Sequence, residues 1–515
     1  MFVNIADFLI RSVGDYPKQT ALVFEEQRID FQTLNERVNR LASALKQDGV
    51  KKGDHVGVFS TTCPQQIEIL FATAKIGAVF VPFNYRFKEE EAIGVINDSE
   101  VTSLFFEDQY GELIKGFEDK LPMVKRFICI EREMPGVTYY ENILQGGKEE
   151  SDINTTGEDL AIILYTSGTS GFPKGVMYSH GHLVTRIEER TKNLNFLPPG
   201  ASILLVVPNY HTAGIQVILG GIRHPLCLVL IRQFRTRLFL EMVEKERVES
   251  CLLVPAMIKK IIDHPDIDQY DLSSLKMIPY GTAPISPDVL KRAMEKIKAF
   301  FVQAYGMTEG SITMLGPDDH LLVGEDHEEE KKLKRLDSAG KPMQGVEIRI
   351  VDTDGRSLPQ GQVGKVLAKG PAVMTGYWKA PEATAQVLRD GWLDTGDMGY
   401  LDEDGYLFLV GRDKDIIIRG GENIAPKEVE NVLASHPKVA ESAVIGCADE
   451  KWGETVRAIV VPKKGMEIAE EELIEYCWER MASYKKPTSV IFVESLPRNP
   501  VGKIMKRILR EQFGK

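Results

Sequence analysis

The feature that most constrains this chain is an alternation of strand-like and helix-like stretches through roughly its first four hundred residues. Residues 34–47 carry Leu34, Val38, Leu41 and Leu45 at helical spacing. Gly53-Asp54 then turns the chain into an apolar run, His55-Val56-Gly57-Val58-Phe59. A helical pattern over 65–75 precedes a second run, Gly77-Ala78-Val79-Phe80-Val81-Pro82, and further strand-like runs lie at 203–208, 250–254 and 276–280. Short apolar runs bounded by turn signals and alternating with amphipathic stretches imply largely parallel strands covered by helices. A length of 515 residues exceeds one ordinary core, so roughly two to four domains are expected.

From Val346 the period changes. Short strands at 346–351, 364–368 and 406–410 are separated by Asp-Gly turns, which reads as an antiparallel meander or small barrel. After Gly411-Arg412 a mixed stretch of about a hundred residues is long enough for a separate small domain. The expected fold is therefore α/β. A large domain, 1–411, holds two mainly parallel βα sheets and a small antiparallel barrel-like subdomain at about 338–411. A small mobile α+β domain, 412–515, follows. The charged run 325–335 between these regions reads as a solvated loop or helix face.

A net charge of −12 argues against a nucleic-acid partner and supplies no polybasic membrane anchor. No apolar stretch reaches the length of a membrane span. The start resembles no signal peptide and the end no peroxisomal address, so a cytoplasmic location is expected. Six scattered cysteines without a CxxC pair fit neither a disulfide framework nor a zinc site, but free thiols in a reducing compartment. His180 and His182 lack an HExxH context, and no GxSxG elbow is present, so a zinc enzyme and a serine hydrolase are both disfavoured.

One segment points to chemistry. The apolar run Leu160-Ala161-Ile162-Ile163-Leu164 leads into Tyr165-Thr166-Ser167-Gly168-Thr169-Ser170-Gly171-Phe172-Pro173-Lys174-Gly175. Backbone N–H groups of a glycine-rich turn can converge on phosphate oxygens. The hydroxyls add donors and Lys174 adds a positive charge. Composition alone would read as a Ser/Gly surface loop; the lysine and the preceding strand favour phosphate. The loop is not a Walker A sequence, since Pro173 and Gly175 flank the lysine, and no GxGxxG follows a strand.

Further motifs follow in order: Pro208-Asn209-Tyr210-His211-Thr212-Ala213-Gly214, then Tyr280-Gly281-Thr282-Ala283-Pro284, then Gln303-Ala304-Tyr305-Gly306-Met307-Thr308-Glu309. Next come Trp392-Leu393-Asp394-Thr395-Gly396-Asp397 and Gly411-Arg412-Asp413-Lys414-Asp415. Gly420-Gly421-Glu422-Asn423-Ile424-Ala425-Pro426 and Pro497-Arg498-Asn499-Pro500-Val501-Gly502-Lys503 complete the series. Over essentially its whole length the chain resembles the adenylate-forming superfamily of acyl-CoA synthetases, luciferases and peptide-synthetase adenylation domains. The resemblance implies two steps. A carboxylate attacks the α-phosphate of ATP, giving an acyl-adenylate and pyrophosphate. The thiol of coenzyme A then takes the acyl group and AMP leaves.

What the resemblance implies for residues can be set beside what they are. Thr166, Ser167, Gly168, Thr169, Ser170, Gly171 and Lys174 would hold the β- and γ-phosphates. Glu309, a hard carboxylate, would bind Mg²⁺ with Thr166 and Thr308 nearby; otherwise it is a helix-start carboxylate. Gly281, Thr282, Ala283 and Pro284 would pack against adenine, with Gln303, Ala304, Tyr305, Gly306 and Met307 on its other side; otherwise the first is a plain strand-end turn. Asp397, an acceptor-only group, would take the ribose hydroxyls with help from Arg412; otherwise it is an Asx turn. Lys503 would enter the site for adenylation only. A hinge at Lys414 would then swing Gly420, Gly421 and Glu422 to the coenzyme A tunnel.

Three features bear on the acid. Acetyl-CoA synthetases carry a tryptophan where this chain has Gly306, so a longer chain or a ring fits better. Amino-acid-activating relatives carry an aspartate in the motif where this chain has His211, which disfavours an amino acid; His211 is a pocket wall or simply a packed ring. No carrier domain follows Lys503, which favours free coenzyme A. The expected substrates are a medium- or long-chain fatty acid, ATP and coenzyme A, with an aryl acid as the alternative acid. A homodimer is left open. A luciferase-like oxygenase and a non-enzymatic nucleotide-binding scaffold are the competing classes.

Overall fold

The computed structural model describes residues 2–147, 155–166, 172–190, 197–321, 326–420, 422–498 and 504–514. Two large sheets form the bulk of the molecule. One has eight strands, in spatial order Gly376–Tyr377, Gly175–Ser179, Leu160–Tyr165, Val79–Pro82, His55–Phe59, Val101–Phe106, Arg126–Cys129 and Thr138–Tyr139. It is parallel from Leu160–Tyr165 through to Thr138–Tyr139 and antiparallel at the other edge. The other has nine strands, with a parallel centre formed by Met277–Gly281, Ser250–Cys251, Ser202–Leu205, Cys227–Leu230 and their neighbours. The expected run at 250–254 is cut to two residues because Pro255 opens the next helix, Pro255–Ile262.

The helix Pro64–Ile76 has every position but Gln65 buried, as an apolar helix enclosed on all sides must. Its two ionisable side chains are met by neighbouring elements. Glu68 accepts from Arg37 Nε at 2.7 Å and from Tyr140 Oη at 2.5 Å. Lys75 Nζ donates to Asn35 Oδ1 at 2.7 Å and to Asn39 Oδ1. Burial pushes the Lys75 amine down to about 8 from the usual 10.5. Below pH 8 the folded chain bears the full cost of holding the ammonium. Between pH 8 and 10.5 the unfolded amine still binds its proton and the folded one does not, so stability rises with pH. The stability of wild type minus that of Lys75→Met should therefore rise by roughly 3 kcal/mol across that window. Urea unfolding at several pH values measures it; a pH-independent difference between the two proteins counts against it.

The antiparallel region is as expected: Glu347–Val351, Gly364–Lys369, Trp392–Leu401, Leu388–Arg389 and Leu407–Arg412 form a five-stranded sheet. The last strand runs through Arg412, one residue beyond the expected domain boundary. The remaining chain builds a sheet of Glu422–Ile424, Ile417–Arg419, Gly453–Pro462, Val439–Asp449 and Ser489–Phe492, with apolar clusters of its own around Val429, Val456 and Ile459. The charged run forms the helix Asp326–Arg335. All six cysteines are buried and free. Among the described residues no helix is long and apolar enough to cross a membrane.

Candidate adenylating site

The segment that opens the site is the tip of a hairpin. Leu160–Tyr165 pairs antiparallel with Gly175–Ser179, Tyr165 opposite Gly175, and the Thr166 N–H donates to the Lys174 carbonyl at 2.9 Å. Ser167, Gly168, Thr169, Ser170 and Gly171 lie outside the described residues. Lys174 Nζ stands 5.0 Å from the centre of the Tyr377 ring. Tyr377 is held there by the two-residue strand Gly376–Tyr377, which pairs with Val176 and Met177. It came from no motif in the sequence.

Tyr377 links the lysine to Glu309. Its hydroxyl donates to Glu309 Oε1 at 2.7 Å. Burial first, and then the Glu309 charge, push the phenol well above its ordinary range, so it stays a donor. Glu309 is not at a helix start. Phe300–Met307 and Gly310–Leu315 are antiparallel, with Met307 opposite Gly310, so Thr308-Glu309 is a two-residue hairpin tip. Two carbonyls anchor that tip: Met374 N–H donates to Glu309 O at 2.7 Å, and Tyr178 Oη donates to Thr308 O.

A second cluster lies on the antiparallel sheet. Asp397 and Arg412 are cross-strand partners, and Arg412 Nε meets Asp397 Oδ1 at 2.8 Å. Tyr305 Oη donates to Asp397 Oδ2 at 2.5 Å. Burial first, and then the Asp397 charge, raise the Tyr305 phenol well above its ordinary range. Arg412 Nη1 also donates to the Thr395 carbonyl at 3.0 Å. The Asx turn of this motif is made by Asp394, which accepts from Gly396 N–H at 2.8 Å. The Asp397 side chain is therefore not the Asx acceptor of this motif; it is an acceptor-only group met by Arg412 and Tyr305.

Met277–Gly281 and Phe300–Met307 are adjacent parallel strands, Gly281 beside Ala304. A Cβ on Gly281 would fall 2.2 Å from the Ala304 carbonyl oxygen. At that level nothing flat fits between the two motifs, and the strand ends at Gly281, just before Thr282, Ala283 and Pro284. Thr282 adopts a left-handed φ of 69°. Thr282 Oγ1 and Gln303 Oε1 are buried polar atoms without a hydrogen-bond partner among the described residues. Gly306 has a packing reason independent of any substrate: a Cβ there would lie 2.6 Å from the Gly310 carbonyl oxygen across the hairpin.

His211 precedes the helix Thr212–Arg223 and its ring lies 4.6 Å from that of Tyr210, which meets Tyr85 edge-on at 5.5 Å. Tyr210 Oη and Asn209 Oδ1 are buried without a partner among the described residues. In the C-terminal region Gly420 has φ 60°, donates its N–H to the Trp452 carbonyl at 2.8 Å and packs under the Trp452 ring. Glu422 pairs with Arg419 across a hairpin, and Lys414 sits in the short turn Asp413–Asp415. Gly421 and Lys503 lie outside the described residues. A surface cleft of about 240 Å³ between Arg11, Tyr16, Leu197 and Arg223 includes none of these residues.

The whole chain has known counterparts. It matches the family described as AMP-binding enzyme over residues 9–378, and the AMP-binding enzyme C-terminal domain over 428–503. A feruloyl-CoA synthase from an Amycolatopsis species is 36% identical over 512 residues, covering 99% of each chain. The fatty acid–acyl-carrier-protein ligase ScoC of Streptomyces coeruleorubidus is 34% identical over 502 residues, covering 96% of this chain and 94% of its own. Among solved structures, ATP-bound MatB from Rhodopseudomonas palustris superposes with a TM-score of 0.89 at 29% identity, covering 99% of each chain.

Proposed function

The chain belongs to the AMP-binding enzyme family and is an AMP-forming acid–thiol ligase; from that premise we propose that its acid is a medium- or long-chain fatty acid, activated at the two clusters described above. The adenosine would lie across Thr282–Pro284, where Thr282 Oγ1 and Gln303 Oε1 stand buried without a hydrogen-bond partner among the described residues. Its ribose would bond to Asp397, which Arg412 and Tyr305 hold in one orientation. The β- and γ-phosphates would meet Thr166, Lys174 and the loop between them. Bringing a carboxylate to a polyphosphate concentrates negative charge, so fixed donors and cations must be in place beforehand.

Glu309 suits Mg²⁺. The described residues hold no group of three His, Cys, Asp or Glu that could bind a metal by itself. Mg²⁺ needs no such cage, because it usually takes one or two carboxylates and leaves its other positions to phosphates and water. When bound it supplies neutralisation of phosphate charge. Tyr377 takes one Glu309 oxygen, and the other has no hydrogen-bond partner among the described residues. Lys503 is proposed to contact the acid carboxylate and the α-phosphate, and Lys414 to be the hinge that exchanges it for Gly420-Gly421-Glu422. Coenzyme A is the proposed thiol, in a reducing, cytoplasmic setting that six buried free cysteines support.

The observation that carries a hydrophobic acid is the aromatic wall of Tyr210 and Tyr85 behind His211. The 34% identical fatty-acid ligase supports an alkyl chain. An aryl acid is the second reading. Tyr210 Oη and Asn209 Oδ1 have no hydrogen-bond partner among the described residues, as expected if a ring substituent meets them, and the feruloyl-CoA synthase is a relative. A panel of alkyl and hydroxylated aryl acids, assayed by pyrophosphate release with Mg-ATP and coenzyme A, separates them. The alkyl reading expects the highest kcat/KM on medium or long chains; a preference of about tenfold or more for an aryl acid transfers the assignment.

A further inference from the structure

Arg186, on the helix His180–Arg190, is 2% exposed and has no carboxylate partner among the described residues. Its guanidinium donates from Nη1 to Tyr178 Oη and lies over the same ring, 5.1 Å from its centre; Nε has no hydrogen-bond partner among the described residues. A buried cation without a counter-ion is a liability to the fold, and an apolar residue of similar volume in its place is commonly neutral or stabilising. Stability therefore does not account for this arginine.

Its geometry suggests what does. A guanidinium can donate but never accept. With Arg186 on the phenolic oxygen, the Tyr178 proton must point elsewhere, and it points at the Thr308 carbonyl. A charged donor on the oxygen also strengthens the bond that the hydroxyl makes onward. Thr308 is half of the two-residue tip that carries Glu309, and Met374 fixes the other carbonyl at 2.7 Å.

We propose that Arg186 is a positioning residue for Glu309, acting through Tyr178 to lock the Thr308-Glu309 tip in the orientation that presents the carboxylate to the metal. This rests on Glu309 being the metal ligand, and the test separates the two claims. Mn²⁺ is titrated into enzyme saturated with α,β-methylene-ATP, which needs no acid and no turnover, while thermal melting is followed in parallel. Arg186→Met is expected to melt at or above the wild-type temperature yet bind Mn²⁺ about tenfold more weakly, as loss of an outer partner does at metal sites. Tyr178→Phe should weaken Mn²⁺ similarly, and Arg186→Lys, which keeps a donor, should recover part of the affinity. Wild-type Mn²⁺ affinity in Arg186→Met overturns the inference. So does a loss that only tracks a fall in melting temperature and is not relieved by lysine. If Glu309→Gln itself binds Mn²⁺ like wild type, the metal assignment has failed first and the inference falls with it.

Discussion

Glu309→Gln is expected to slow pyrophosphate release from Mg-ATP and the acid by at least about 10²-fold, with almost no change in melting temperature. Glutamine has nearly the shape of glutamate, and its amide oxygen can still accept from the Tyr377 hydroxyl that now bonds Oε1 at 2.7 Å. The hairpin tip keeps its two anchored carbonyls. What disappears is one negative charge beside the polyphosphate, and with it the attraction for Mg²⁺. Raising Mg²⁺ should recover part of the rate if affinity is the main loss. Tyr377→Phe provides a graded companion: the charge remains but its orientation loosens, so a loss of about ten- to a hundredfold is expected. A Glu309→Gln enzyme within a few-fold of wild type at ordinary Mg²⁺ would remove Glu309 from the metal role.

How much of this site the sequence reveals depends on the length of the element that carries each residue. The strand His55–Phe59 is legible to the residue, because a Gly-Asp turn precedes an apolar run. The strand Trp392–Leu401 is not. It alternates faithfully, but its buried positions are Leu393, Thr395, Asp397 and Gly399, so only Leu393 marks that face as apolar. Tyr377 is hidden for another reason. Its strand has two residues and its partners, Val176 and Glu309, are distant in the chain, so no local pattern marks it. Tyr178 and Arg186 sit beside the phosphate motif but belong to none. Only the fold turns their side chains toward the Thr308-Glu309 tip. The antiparallel pairing of Leu160–Tyr165 with Gly175–Ser179 is likewise not legible, since Gly175–Ser179 is short and mixed in polarity. The motifs at 280–284 and 303–309 are recognisable as motifs, but their side-by-side pairing at Gly281 and Ala304 needs the strand register.

Lys503→Ala should split the two half-reactions. Formation of acyl-adenylate is expected to fall by about 10²–10³-fold, the usual consequence of removing one preorganised charge from the reacting centre. Thioester formation from supplied acyl-adenylate should stay within a few-fold of wild type, because on the proposed alternation Lys503 has left the site before the thiol attacks the acyl carbonyl. Lys414→Pro should give the mirror image. Lys414 lies in the turn Asp413–Asp415, where Ile416 N–H bonds back to the Arg412 carbonyl at 3.1 Å, directly after the strand that ends in Arg412. Proline fixes φ there and should hinder a rotation that a few junction residues must absorb. Adenylation should survive in Lys414→Pro and thiol transfer should fail. Rapid-quench measurement of each half-reaction in both variants decides the matter. Equal losses in both steps for Lys503→Ala would make the lysine a general structural or binding residue. An unimpaired second step in Lys414→Pro would place the hinge elsewhere. The pair is informative together because the two residues are proposed to serve opposite positions of one moving domain, so only alternation predicts opposite defects.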